Sequence, residues 1–248
     1  MNVSFNLITE RWIPVIRLNG EFTEVSLREV FREAHNIREI TDKSPMVEVT
    51  LIRFLLTILH RNFGPENLKT WEELWAMKKI DTNVLTEYFD QWFDHFDLFH
   101  EEYPFYQIKG VDKVLDSSKY TPLQKMAQEI AGGNNPRLFD HSKDQSPKAF
   151  TPSETARLLV TYQATAVGGG VSYPFNYSDA TVVQGGAIFI VSGDNLFETM
   201  MLNLLVYNEE SPIPQTRNAT DLPAWEIKTP ELKSLGERDE RKDNDVET

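Results

Sequence analysis

Two glycine-rich stretches carry the chemistry this chain offers most plainly: GGNNPRLFDH at 132–141, and the triplet Gly168, Gly169, Gly170. Glycine has no Cβ, so it accepts positive φ and lets another molecule approach the main chain closely. Such a segment can lay backbone groups in a duplex minor groove, where a side chain would collide with sugar edges. The base pattern there is degenerate, so a main-chain reader separates families of short sequences rather than every base. Asn134, Asn135 and Arg137 are donors suited to phosphates or base edges, and Phe139 is a ring able to stack or wedge. The same residues also suit a helix C-cap at Gly132 and a tight turn at Gly168, with Leu138 and Phe139 pinning the loop to the core. Residue type alone leaves both readings open.

Other chemistries are poorly served. Asp140, His141 and Ser142 have the residue types of a hydrolase triad, but adjacent residues cannot converge on one point. His95 and His100 stand five apart, off the i, i+4 spacing of a helical metal pair. The glycines match neither a Walker phosphate loop nor a dinucleotide fingerprint. The chain has no cysteine, which removes disulfides, thiolate catalysis and cysteine-ligated zinc. The expectation is a non-enzyme without metal or cofactor. No apolar run is long enough to span a bilayer and the first residues do not read as a signal peptide, so a cytoplasmic protein with no membrane partner is expected.

A net charge of −13 over 248 residues argues against a broad basic face that holds nucleic acid alone, because that affinity comes mainly from neutralised phosphates. Any such contact must be local or shared. The stretch 132–150 runs against the trend, with Arg137, Lys143 and Lys148 outnumbering Asp140 and Asp144. The last stretch, 226–248, is acidic with few apolar groups after Leu235, and is expected to be a mobile tail behind a globular domain spanning 1–225.

Several elements must position these stretches. Asn19-Gly20 between apolar alternation from Val15 to Val25 predicts a β-hairpin. Ser26 with Glu29 predicts a capping box and a short helix, and the apolar run 47–63 a buried helix. Two helices follow, the second over 83–99, with Tyr88, Phe89, Trp92, Phe93, Phe96 and Phe99 as a core stripe. Thr121, Pro122 and Gln124 open a helix ending at Gly132-Gly133, and Thr151-Pro152 with Glu154 opens another running to Ala166. Between them lies a stretch without periodicity, long enough to suggest function. The run 181–191 reads as strand, and Asn195 with Glu198 caps a helix to Tyr207. The fold class expected is α+β: one mainly helical globular domain with small antiparallel sheets.

In this order several motifs together resemble the large subunit, the CasA family, of the type I-E CRISPR surveillance complex Cascade. They are FNLITERWIPV from Phe5, HEEYPFYQIKG from His100, NNPRLFDH in the first glycine stretch, the Thr-Pro-Ser-Glu-Thr-Ala helix start before the glycine triplet, and Pro223-Ala224-Trp225. The resemblance covers nearly all of this chain but only the family's N-terminal half. It implies a non-catalytic subunit of an RNA-guided antiviral complex, helping to recognise the short motif beside the target, the PAM, and to open the duplex there. The family's first loop corresponds to 132–150 and meets the guide RNA 5′ handle, with Phe139, His141 and Lys143 among its residues. Its glycine loop, which lies in the PAM minor groove, corresponds to Gly168, Gly169 and Gly170. Implied partners are guide crRNA, double-stranded target DNA at the PAM, the other Cascade subunits and a helicase-nuclease. The family's lysine finger, glutamine wedge and C-terminal helical bundle have no counterpart here, which puts helicase-nuclease docking in doubt. A fragment, one half of a split subunit and a natural short form all fit that absence; a short form should read the PAM more permissively. The alternative is a structural adaptor that holds guide and neighbours without reading DNA.

Overall fold

The structure is a computed structural model that describes residues 3–113, 120–127, 130, 148–166, 181, 187–206 and 222–227. Strands β1 (Ile13–Arg17) and β2 (Phe22–Val25) form the expected hairpin, with Gly20 at φ +86° where the turn needs a left-handed residue. A third strand, β3 (Ile37–Ile40), gave no sequence signal; it pairs antiparallel with β1, giving the order β2-β1-β3. The capping box at Ser26 and Glu29 opens α1 (Leu27–Glu33). Helix α2 (Pro45–Phe63) is the long buried helix, with Val47, Leu51, Phe54, Leu55, Ile58 and Leu59 in the core. Three shorter helices complete the first part and the far side of the core: α3 (Leu68–Ala76), α4 (Thr82–Gln91) and, later in the chain, α6 (Leu196–Leu202). Between them α5 (Pro152–Thr165) packs along α2, where the hydroxyls of Thr50 and Thr161 meet at 2.9 Å inside the interface.

Four elements depart from expectation. The helix expected over 83–99 stops at Gln91, followed by a 3-10 turn over Phe93–Phe96. The N-terminal segment claims the next groups: Leu7 N–H donates to Phe96 O, Asn6 Nδ2 to Phe93 O, and Leu98 N–H to Phe5 O. The aromatic stripe therefore divides. Tyr88, Phe89 and Phe96 are buried and Trp92 is half-buried, but Phe93 and Phe99 face outward.

Instead of a helix after Pro122 there is one 3-10 turn, Leu123–Met126, and the chain is extended at Ala127. The run 187–191 forms no strand, since the Asn203 side-chain amide donates to Val191 O and accepts from its N–H in place of a neighbouring strand. Asn203 also ends α6 at Leu202, short of Tyr207. Gly193, just before α6, has no room for a side chain: a Cβ there would lie 2.3 Å from that of Glu198.

The boundary expected at 225/226 falls inside a core contact. Trp225 is 4% exposed and packs its ring against Phe54 and Phe96 at 5.4 and 5.3 Å. Its indole N–H donates to the Tyr88 hydroxyl at 2.7 Å, which donates to Glu226 at 2.6 Å, and Glu226 is held by Arg61 at 2.8 Å. Burial, together with that hydrogen bond to the carboxylate, pushes the Tyr88 hydroxyl far above its ordinary range, so it stays a neutral donor. Glu226 is therefore a core residue rather than the start of a tail.

Candidate nucleic-acid interface

Helix α5 organises both glycine-rich stretches, because one arrives at its N-terminus and the other leaves from its C-terminus. It forms where expected: Thr151 and Glu154 close a reciprocal capping box, with Thr151 N–H donating to the carboxylate at 2.9 Å and Glu154 N–H to the hydroxyl at 3.2 Å. The Thr151 N–H bond holds the Glu154 carboxyl below its ordinary range, with the Thr151 hydroxyl, Lys148 and Arg157 adding to the effect against partial burial. Fourteen residues at about 1.5 Å each separate the two ends of α5 by about 21 Å.

Arg157 fixes α5 against the sheet. Its guanidinium donates to Trp12 O at 2.7 Å, to the Glu24 carboxylate at 2.7 Å and to the Ser153 hydroxyl at 2.8 Å, and lies 3.3 Å from Asp42. Beside this clamp is a cavity of about 630 Å³, with Pro14, Ile16 and Phe22 of the hairpin on one side and Ala127, Ile130 and Phe150 on the other.

Each stretch is also tied at its base. Lys148 N–H donates to the side chain of Gln124, itself 1% exposed, at 3.0 Å, a part-buried contact that joins the chain before the first stretch to its far end. Lys148 Nζ lies 4.9 Å from the centre of the Phe150 ring and 3.7 Å from Glu154. At the other end of α5, Thr181 donates to Ala166 O from its hydroxyl at 2.8 Å and from its N–H at 3.4 Å, closing 167–180 at its neck.

All nine residues singled out from sequence, Asn134, Asn135, Arg137, Phe139, His141, Lys143, Gly168, Gly169 and Gly170, lie outside the described residues. The structure describes their anchors instead. Sequence patterning gave Gln124 a place at a helix start, Thr181 a place at a strand start and Arg157 no role; none of the three contacts was legible, since each joins residues whose separation follows no period. Among the described residues no group of three or more metal-ligating side chains occurs. His95 and His100 both stack on Tyr103, at 4.2 and 5.5 Å between ring centres. No described helix is long and apolar enough to cross a membrane.

An α+β domain that hangs two glycine-rich stretches from one clamped helix is a recognised arrangement. Residues 6–247 match the profile of the CRISPR-associated protein Cse1 family, and the chain belongs to that family. CasA/Cse1 of Thermus thermophilus is 35% identical over 228 residues, covering 90% of this chain and 42% of the relative. The crystal structure of Thermus thermophilus CasA superposes with a TM-score of 0.75 at 32% identity, covering 94% of this chain and 44% of that one. A chain of a CRISPR RNA-guided surveillance complex in its pre-nicking state shares the fold, with a TM-score of 0.74 at 23% identity, over 92% of this chain and 46% of its own. The chain thus spans less than half the length of these relatives.

Proposed function

We propose that this chain is a non-catalytic subunit of an RNA-guided Cascade complex, contacting the guide RNA 5′ handle through 132–150 and reading the PAM duplex through Gly168, Gly169 and Gly170. Asn134, Asn135, Arg137 and Lys143 supply donors to phosphates or base edges, His141 a polar contact, and Phe139 a ring at the junction. The observation supporting this reading is one clamped helix, α5, standing between the two stretches in the sequence, in a chain of the Cse1 family. A spacing of about 21 Å suits an elongated polymer: a duplex rising about 3.4 Å per base pair covers it in about six pairs. The other Cascade subunits are its proposed partners, because a chain of a surveillance complex has this fold.

The test is target binding by the assembled complex across a panel of PAM sequences. Gly169→Asp puts a side chain in the groove and a charge toward phosphate, and should cost about tenfold or more in PAM-dependent affinity. Phe139→Ala should weaken binding without changing PAM preference. Unchanged binding by both variants overturns the proposal. The net charge of −13 favours a second reading, an adaptor steered onto basic partners that does not read DNA. It predicts intact PAM preference in Gly169→Asp.

A further inference from the structure

A second candidate site lies along the α2–α5 pair, in cavities that do not include Arg157. Two adjoining cavities, of about 170 and 330 Å³, share Tyr106 and Gln163 in their walls. The smaller also has Arg53 in its wall, and the larger has the stacked rings of His95 and Tyr103.

Three features mark this place. Every other arginine among the described residues pairs with a carboxylate, as an acidic chain makes easy, whereas Arg53 is exposed and has none. Tyr106 has φ +55°, a left-handed conformation that costs a bulky side chain about 1 kcal/mol or more and persists where the surroundings enforce it. Its ring is held by Phe105 at 4.4 Å and Trp225 at 5.9 Å, yet its hydroxyl has no hydrogen-bond partner among the described residues. Burial pushes that hydroxyl above its ordinary range, so it remains a neutral donor. Gln163 Nε2 reaches back to Tyr106 O at 3.4 Å, a long contact that leaves the amide at the cavity wall.

Arg53, Tyr106 and Gln163 all line the smaller cavity; a guanidinium, a phenol and an amide are donors suited to an oxyanion, and guanidinium is the side chain best matched to phosphate. The adjoining aromatic cavity suits a base, since stacking on a ring needs no particular sequence. We propose that Arg53, Tyr106 and Gln163 hold one backbone phosphate of a single-stranded nucleic acid, whose neighbouring base enters the cavity walled by His95 and Tyr103. Gln163 stands on the last turn of α5, five residues before Gly168 in the sequence. This inference rests on the reading of the chain as a nucleic-acid-contacting subunit. Guide RNA and an opened DNA strand share the chemistry that the site recognises.

The test uses the full chain and fluorescence anisotropy of labelled oligo-thymidine and oligo-uridine, about twelve nucleotides long, in salt from roughly 50 to 200 mM. Arg53→Gln should weaken binding several-fold and reduce the salt slope by about 0.7, the value for one lost phosphate contact on a single strand. Tyr103→Ala should weaken binding by about fivefold or more with the slope unchanged. Tyr106→Phe, which keeps the ring and removes the hydroxyl, should give a smaller loss. Arg38→Gln, an exposed arginine paired with Glu39, should bind as the parent does. Tighter binding of uridine assigns the site to guide RNA, and of thymidine to the opened DNA strand. Arg53→Gln with unchanged affinity and slope, or a parent chain that binds neither oligomer, overturns the proposal. Neither oligomer contains a duplex, so a Gly169→Asp variant that keeps PAM preference refutes the PAM reading and leaves this site standing.

Discussion

Replacing Arg157 with methionine removes the cation that fixes α5, and so tests whether that helix is held the way the geometry indicates. The side chain is 12% exposed and faces Glu24 at 35% and Asp42 at 18%. Methionine keeps much of the packing volume but leaves two neighbouring carboxylates without their cation and Trp12 O without its donor. Breaking a fully buried pair by removing one partner costs about 3–5 kcal/mol. Glu24 is a third exposed and water recovers part of that, so about 2 kcal/mol remains, with about 1 more for the lost carbonyl bond. The expected total is about 3 kcal/mol, or a fall of roughly 6–12 °C in Tm for a domain of this size. Urea unfolding should show a lower midpoint with an unchanged m-value. In a double-mutant cycle with Glu24→Gln the coupling should be about 1 kcal/mol or more. A loss below about 0.5 kcal/mol, or strictly additive effects, would refute the claim that this cluster holds α5 to the sheet.

Two further outcomes follow from the same contacts. Glu226→Gln keeps the shape but removes the charge facing Arg61, and should destabilise the chain by about 1–3 kcal/mol; a melt that matches the parent would show that 226 contributes nothing to the core. The Glu154 carboxyl has a folded pKa below its unfolded one, so its contribution is fully present above the unfolded value and is lost as pH falls through the folded value. Glu154→Gln should therefore lower stability at neutral pH and converge with the parent in acid; a difference between the two that stays constant down to acid pH contradicts the capping role.

Local signals were legible in the sequence wherever neighbouring residues decide the structure. The hairpin at Asn19-Gly20, the capping boxes at Ser26 and Thr151, and the N-cap at Asn195 all appear where their side chains place them. The misreadings lie where distant residues compete for the same backbone groups. Residues 5–7 take the backbone groups just beyond α4, and Asn203 satisfies Val191 in place of a strand. Strand β3 escaped notice because IREI alternates over only four residues, and its place is set by pairing with β1. For the candidate site, glycine content and charge identified the two stretches but not what anchors them. Arg157 reaches the sheet and Thr181 the end of α5 through contacts that only the fold brings together. Arg53 and Tyr106 were invisible for a related reason: an arginine without a carboxylate is recognisable only once every other arginine among the described residues has found one.

The most direct measurement is a map of the assembled complex on PAM-containing DNA, read at the end of α5. The account predicts main chain of Gly168, Gly169 and Gly170 within hydrogen-bond distance of minor-groove base edges, with 132–150 against the guide RNA at the helix's other end. A glycine triplet packed inside its own subunit, or facing solvent while DNA is bound, would contradict it.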